Sequence, residues 1–406
     1  MKRLLAILFS TTMLLSIVGC SNSNVPAATG SNPPSSAAPQ AGSSYDKLDK
    51  IYIGSVTPLT GAGASSGEFN KKGMDLWAEQ VNTAGGIMGK KVEIVYEDTQ
   101  STEAGSANAY QKLASRGDIS AIHHGQFSNQ VLATLPYVKQ YKIPSITQGS
   151  SVKLTAAVAE NPYTWQLRIN DQGTAYSMVN AMVDQLGGKK IALIYDTDAF
   201  GQGLANNAIA ALEAKGMKPE ITLSFATGEK QFAGYLSQIK EKGCDSILLM
   251  AHPNETALIQ IGINSQGMES LIKVGSPDAA GAVTIALSKD DANGWYTISD
   301  WVPSIEEEPG KTFEVDYEKK YNQVSDMACA VSYDILNVFK AAIEKAGSQD
   351  PEAIQKALGE LDPLKGLIST FEFNDQHIGA TYQYLCQTED RIPKIMSSVP
   401  RDDVKK

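Results

Sequence analysis

The chain is poor in the residues that most often carry metal and thiol chemistry, with four histidines and four cysteines among 406 residues. No CxxC pair occurs and no spacing suits a zinc site. His123 and His124 are neighbours in an apolar run, which sends their rings to opposite faces of a strand, and no carboxylate-rich segment completes a metal set. No G-x-S-x-G elbow surrounds any serine. Basic residues are outnumbered, 35 Lys and Arg against 45 Asp and Glu, and a net charge of −10 argues against a nucleic-acid partner. These absences point away from metal, cofactor, nucleic acid and catalysis.

What is present begins at the N-terminus. Lys2 and Arg3 precede the apolar run Leu4 to Val18, too short for a stable membrane span but suited to a signal peptide. The run ends in Ile17-Val18-Gly19-Cys20, which resembles a bacterial lipobox, with Cys20 as the lipidated residue. Residues 1–19 therefore read as a lipoprotein signal peptide. Residues 20–44, rich in Ser, Asn, Pro, Ala and Gly, read as the lipidated cysteine and a flexible tether. Each buried acyl CH₂ contributes about 0.8 kcal/mol, so several chains on one cysteine hold a protein at the outer face of a membrane. Cys244, Cys329 and Cys386 remain, an odd number, and are expected as buried free thiols.

From Tyr45 onward apolar β-branched runs alternate with helical periodicity: IYIGSVT, Ser65 to Asn82, KVEIVYE, Thr102 to Arg116 and so on through LIKVGS. A second series starts near Gln172. The fold class is α/β, with two doubly wound lobes joined by a multi-strand hinge. Beyond Asn293 come helical segments over Glu308 to Tyr321 and Met327 to Ala346, a helix opened by Pro351, and late strands GLISTFEF and TYQYLCQ. The expected division is 45–169 plus about 301–368 for an N-terminal lobe and 170–300 plus about 369–406 for a C-terminal lobe.

The stretch from Ile119 to Ser151 is one βαβ unit whose loops, Gln126 to Gln130 and Gln148 to Ser151, leave the carboxyl ends of strands, where ligands of open parallel sheets bind. Ser128 opens the helix as a plausible N-cap, and on this stretch alone capping is the simpler role. The loop Thr60 to Gly67 follows a strand and opens a helix, but its G-x-G-x-x-x-G spacing departs from the dinucleotide fingerprint; it reads as a Gly/Ser loop allowing close approach of a ligand. Gly85 to Lys91 precedes a strand and reads as a helix stop. Asp278 and Phe200 sit at strand-to-helix junctions of the second series, where capping and packing compete with a ligand role.

Together the segments PLTGAGASSGEFNKKGMDLWAEQVNTAGGIMGKKVEIVYED, HHGQFSNQ…IPSITQGSS, IALIYDTDAFGQGL, TGEKQFAGYLSQIKEKGCDSILL and KAGSQDPEAIQKAL resemble the type I periplasmic binding proteins of ABC transporters, specifically the branched-chain amino-acid receptors. The resemblance covers nearly the whole chain after Tyr45. It implies that Ser128 and Ser151 bind a ligand carboxylate, with Gly149 and Ser150 in the same loop, and that the Gly149 carbonyl and Asp278 take the ammonium. Ser66, Phe127, Phe200 and His252 would line the remainder. Leucine-type receptors carry tyrosine at the places of Ser66 and His252 and glutamate at that of Asp278. Their first-lobe disulfide is absent, with Gln100 and Phe127 there instead. These departures leave the side-chain pocket open between a branched-chain ligand and an amide or other small polar metabolite.

The expected function is a lipid-anchored, monomeric receptor that captures an amino acid or amide by hinge closure and hands it to an ABC permease. A sensory receptor of the same fold, or a cleft hydrolase using Ser128 or His252, are the alternatives.

Overall fold

The computed structural model describes residues 43–401, so the signal peptide, Cys20 and nearly all of the tether lie outside the described residues. The first half alternates β1 (Lys50–Thr57), α1 (Ala64–Thr83), β2 (Lys91–Asp98), α2 (Glu103–Ala114), β3 (Ile119–His124), α3 (Ser128–Tyr141), β4 (Ser145–Thr147), α4 (Val152–Ala159) and β5 (Thr164–Gln166). The strands form one parallel sheet in the order β2-β1-β3-β4-β5. Every residue of β3 is buried, as a central strand covered on both faces requires.

A second series follows: α5 (Asp171–Asn180), β6 (Ile191–Asp196), α6 (Ala199–Ala214), β7 (Ile221–Phe225), α7 (Ala233–Glu241), β8 (Ser246–Met250), α8 (Pro253–Ser265), β9 (Ile272–Gly275), α9 (Ala282–Ser288) and β10 (Trp295–Ser299). Then come α10 (Gly310–Tyr321), α11 (Met327–Ala346), α12 (Pro351–Gly359), the short strands β11 (Leu364–Lys365) and β12 (Thr370–Phe371), and the hairpin β13 (Tyr382–Glu389) and β14 (Ile392–Pro400). The second sheet runs β14-β13-β10-β9-β8-β6-β7, parallel except for the hairpin.

The helices after β10 return to the first sheet. Trp77, Ile51 and Ile53 share one core with Val331, Ile335, Phe339 and Ile343 of α11. Trp77 Nε1 donates to Asn337 Oδ1 at 2.8 Å, and Tyr333 donates to Gln80 Oε1 at 2.6 Å. Contact is close because α1 carries Gly73, where a Cβ would lie 2.2 Å from the Cys329 carbonyl oxygen. Separate cores, around Leu193, Leu204 and Leu248 and around Ile194, Ile247 and Ile259, support the second sheet.

Several local expectations are corrected. GLISTFEF is not a continuous strand: the Leu367 and Ile368 N–H groups donate to the Asp334 carboxylate at 2.8 and 2.9 Å instead of to a neighbouring strand. The edge strand β14 is not expected from the sequence; its largely exposed residues, with Pro393 and Pro400 among them, give no apolar alternation. In the Thr60–Gly67 loop, Gly67 makes room for the Pro58 carbonyl and Gly63 for the Phe127 ring, so these glycines accommodate the protein's own atoms. The helix stop at Gly85 and Gly86 is as expected, with φ of +109° and +83°. Cys244, Cys329 and Cys386 are free thiols; Cys329 and Cys386 are buried as expected, but Cys244 is only half-buried. Among the described residues no helix is long and apolar enough to cross a membrane.

Candidate functional site

Parallel strands deliver their following loops to one edge of each sheet, and here the two edges face each other. Between them lies a cleft of about 560 Å³, walled by Ser66, Phe127 and Gln130 from the loops and helix starts of the first sheet and by Thr227, His252 and Leu258 from those of the second. Adjoining it, a chamber of about 10 Å³ is bounded by Gln126, Arg168, Phe200, His252, Asp278 and Met327. His252 is common to both.

His252 sits between two carboxylates and two aromatic rings. Its Nε2 is 3.0 Å from Asp198 Oδ2, and its Nδ1 is 3.6 Å from Asp278 Oδ2, an ion-pair distance beyond a direct hydrogen bond. Phe200 stacks on the imidazole with centroids 5.1 Å apart, and Phe127 meets it at 5.4 Å. Since Phe127 follows β3 and His252 follows β8, this second contact joins the two sides of the cleft. Burial opposes a charge on His252, but Asp198 and Asp278 outweigh it and hold the ring's pKa well above the ordinary value. Asp198 also caps α6, accepting the Gly201 N–H at 2.8 Å. Burial tends to raise its carboxyl's pKa, and the bonds from His252 and the helix N–H groups bring it below the ordinary value.

The residues expected to share a carboxylate are adjacent. Ser151 N–H donates to Ser128 Oγ at 3.2 Å, and a Cβ on Gly149 would stand 3.2 Å from the same oxygen. The anticipated cap at Ser128 is corrected: Phe127 holds the N-cap position of α3, and the Ser128 hydroxyl, turned to the next loop, caps nothing. Ser151 is the cap, accepting the Leu154 N–H of α4 at 3.2 Å. Ser150 accepts the Asp171 N–H through its carbonyl at 2.8 Å. None of Ser128, Gly149, Ser150 and Ser151 lines either cavity; they are folded on one another beside it. Asp278 caps no helix: it lies in a 3₁₀ turn, Pro277–Ala280, with Gly281 preceding α9.

Two groups that the sequence reading passed over hold the floor of the site. Arg168, just past β5, donates through Nε to Asp300 Oδ2 at 2.6 Å and through Nη1 to the Gln148 carbonyl at 3.2 Å. Both members of this ion pair are buried, and Asp300 also accepts from Gln383 Nε2 at 3.1 Å. Behind the Gln148 loop, His123 bonds Ser55, Gln148 and Ser332 at 3.0, 2.9 and 3.1 Å. Burial, with the neighbouring His124, lowers its pKa to about 3, so it acts as a neutral hydrogen-bonding group. Gln126 opens a loop already expected at a strand end, whereas Arg168 carried no local signal; only its convergence with Asp300, 132 positions away, makes it part of a site. Among the described residues no group of three His, Cys, Asp or Glu side chains is placed to hold a metal ion.

The comparisons agree with this geometry. The family model described as "Periplasmic binding protein" matches residues 50–390. The Leu/Ile/Val-binding protein homolog 3 of Brucella melitensis biotype 1 is 26% identical over 328 residues, spanning 80% of this chain and 87% of that protein. The branched-chain amino acid transporter substrate-binding protein LivJ of Streptococcus pneumoniae, solved with isoleucine, superposes with a TM-score of 0.78 at 22% identity, covering 86% of this chain and 99% of that one. A solute-binding protein of an ABC transporter from R. palustris, solved with 4-hydroxybenzoate, superposes with a TM-score of 0.79 at 19% identity, covering 88% and 100%. With two opposed parallel-sheet edges enclosing a cleft and the family pattern running through both sheets, this chain belongs to the type I periplasmic binding proteins, the substrate-binding proteins of ABC transporters.

Proposed function

We propose that the protein is an extracytoplasmic lipoprotein, anchored through Cys20, that captures a small amino acid or a related metabolite in the cleft and delivers it to an ABC permease. Its two lobes are taken as 45–169 with about 301–368, and 170–300 with about 369–406. Ligand binding closes them by a hinge motion, because a ligand that touches both sides stabilises the closed form over the open one. Ser128, Gly149, Ser150 and Ser151 form the carboxylate end, with the hydroxyl of Ser128 and the N–H of Ser151 exchanging their mutual hydrogen bond for the ligand. Asp278 receives the ammonium, and Ser66, Phe127, Phe200 and His252 surround the remainder. Charge-assisted hydrogen bonds contribute about 1.5–3 kcal/mol each, so a few of them supply the roughly 8 kcal/mol of a micromolar affinity.

The observation that carries this reading is the cleft itself, bounded from both sheets and containing buried polar groups from each. Binding without chemistry fits a site whose histidine is clamped between two aspartates. A second reading, an aromatic acid, is supported by the ring wall of Phe127, His252 and Phe200 and by the 4-hydroxybenzoate in one structural relative.

Thermal shift across amino acids, their amides and aromatic acids tests the proposal. One or more amino acids or amides should raise the melting temperature, and Ser128→Ala and Asp278→Ala should each abolish the shift. No shift from any of them, or a shift indifferent to both substitutions, would contradict it.

A further inference from the structure

We infer that Asp326 is an interlobe latch: its one carboxylate caps a helix of each lobe at once and so holds the lobes together before any ligand arrives. The inference rests on the lobe division proposed above and on no choice of ligand.

Asp326 occupies the N-cap of α11, the helix that packs on the first sheet, and its Oδ1 accepts the Ala328 N–H at 3.0 Å. Its Oδ2 accepts the Ala282 N–H at 2.6 Å. Ala282 opens α9, which follows β9 of the second sheet and packs against α8. That helix has no cap of its own: Gly281 stands at its N-cap, and its first turn carries no acidic residue. The first N–H groups of a helix have no partner within it, so a carboxylate brought from 44 positions away completes what the local sequence omits.

Asp326 is fixed on its own side. Its N–H donates to Cys329 Sγ at 3.1 Å, and the Cys329 thiol donates to its carbonyl at 2.9 Å. The preceding Ser325 accepts from Trp301 Nε1 at 2.8 Å and donates its N–H to Glu314 Oε1 at 3.1 Å. The surroundings are dry: Asp326 is buried, and Ala282 and Val283 lie against the core of the first sheet. A charge-assisted hydrogen bond is strengthened in such a setting. Gly281 lets the carboxylate approach, since a Cβ there would lie 3.3 Å from Oδ2. Separating the lobes carries α9 away with the second sheet and leaves α11 and its cap with the first. The Oδ1 bond survives opening and the Oδ2 bond does not. A ligand therefore adds to a closure already favoured, and the permease has this bond to break before the cleft opens.

Residues 42–406 form one compact unit carrying the cores of both sheets, so this body is tested alone, refolded from urea to strip carried ligand. In the wild type, hydrogen exchange at the Ala282 amide should be slower by about tenfold or more than at an unbonded amide, because a first-turn N–H has no partner within its helix. Asp326→Ser keeps a cap for α11, but its shorter side chain offers no second oxygen to α9. The amide should lose its protection, and small-angle X-ray scattering should show a larger radius of gyration, with the closed-to-open ratio lower by about tenfold. Adding Gly281→Asn gives α9 a local cap and should leave the lobes apart. An Ala282 amide that exchanges freely in the wild type overturns the inference, and that measurement needs no variant to fold. An unchanged radius of gyration in Asp326→Ser overturns it too, as does a return to the wild-type value with Gly281→Asn, which would make Asp326 a structural cap only. None of these outcomes depends on a ligand, so the latch and the thermal-shift test of the binding reading fail separately.

Discussion

Removing one member of the buried Arg168–Asp300 pair tests how the cleft floor is held. In Arg168→Met the long apolar stem is kept, but the 2.6 Å contact to Asp300 and the bond to the Gln148 carbonyl are lost. Asp300, with its side chain 1% exposed, keeps only Gln383. A carboxyl stranded in that setting takes up a proton instead of remaining ionised. Protonating an ordinary aspartate at pH 7 costs about 4 kcal/mol, in line with the roughly 3–5 kcal/mol of broken buried pairs, and at pH 5 only about 1.5 kcal/mol. The loss therefore grows as pH rises above the ordinary carboxylate range, since the variant's folded state holds a proton that the unfolded chain releases. Urea unfolding followed by tryptophan fluorescence at pH 5 and 7 measures both values. Adding Asp300→Asn removes the stranded carboxyl and should recover most of the loss at pH 7. A loss below about 1 kcal/mol, a loss independent of pH, or strict additivity in the double variant would refute the reasoning.

Burial opposes the charge on His252 while Asp198 and Asp278 sustain it, so its stabilisation is complete below about pH 6.5 and declines as pH rises toward its raised folded value. Urea unfolding from pH 7 to 9 should show stability falling in the wild type and flat in His252→Gln. Asp171, pushed up to about 7 chiefly by burial, binds its proton more tightly when folded. It should contribute a separate decline between about pH 4 and 7, absent from Asp171→Asn. Gly73→Ala places a Cβ 2.2 Å from the Cys329 carbonyl and should cost about 1–3 kcal/mol by forcing α1 from α11, measured as a lower urea midpoint.

The alternation through β1 to β10 was legible because each strand is a short apolar run and each helix follows with its own period, and the α/β class followed from it. GLISTFEF looked like a strand because composition cannot reveal that a side chain, Asp334, takes the backbone N–H groups a ladder would need. No regular apolar alternation announces β14, which is held by pairing with β13 more than by burial. At the site, Ser128 resembled a cap because serine at a helix start usually is one; the Ser151 loop alongside gives its hydroxyl another partner. Arg168 meets Asp300 across 132 positions, and His252 meets Asp198 across 54. Such pairings arise from sheet order and leave no trace in local spacing.

The central claim is that one ligand is held from both sides of the cleft. A double-mutant cycle by isothermal titration, using the tightest ligand found and the variants Ser128→Ala, Asp278→Ala and their combination, measures it most directly. The account predicts that each single substitution weakens binding by about tenfold or more, since each removes a charge-assisted hydrogen bond from a different lobe. Full affinity retained in either single variant would contradict it.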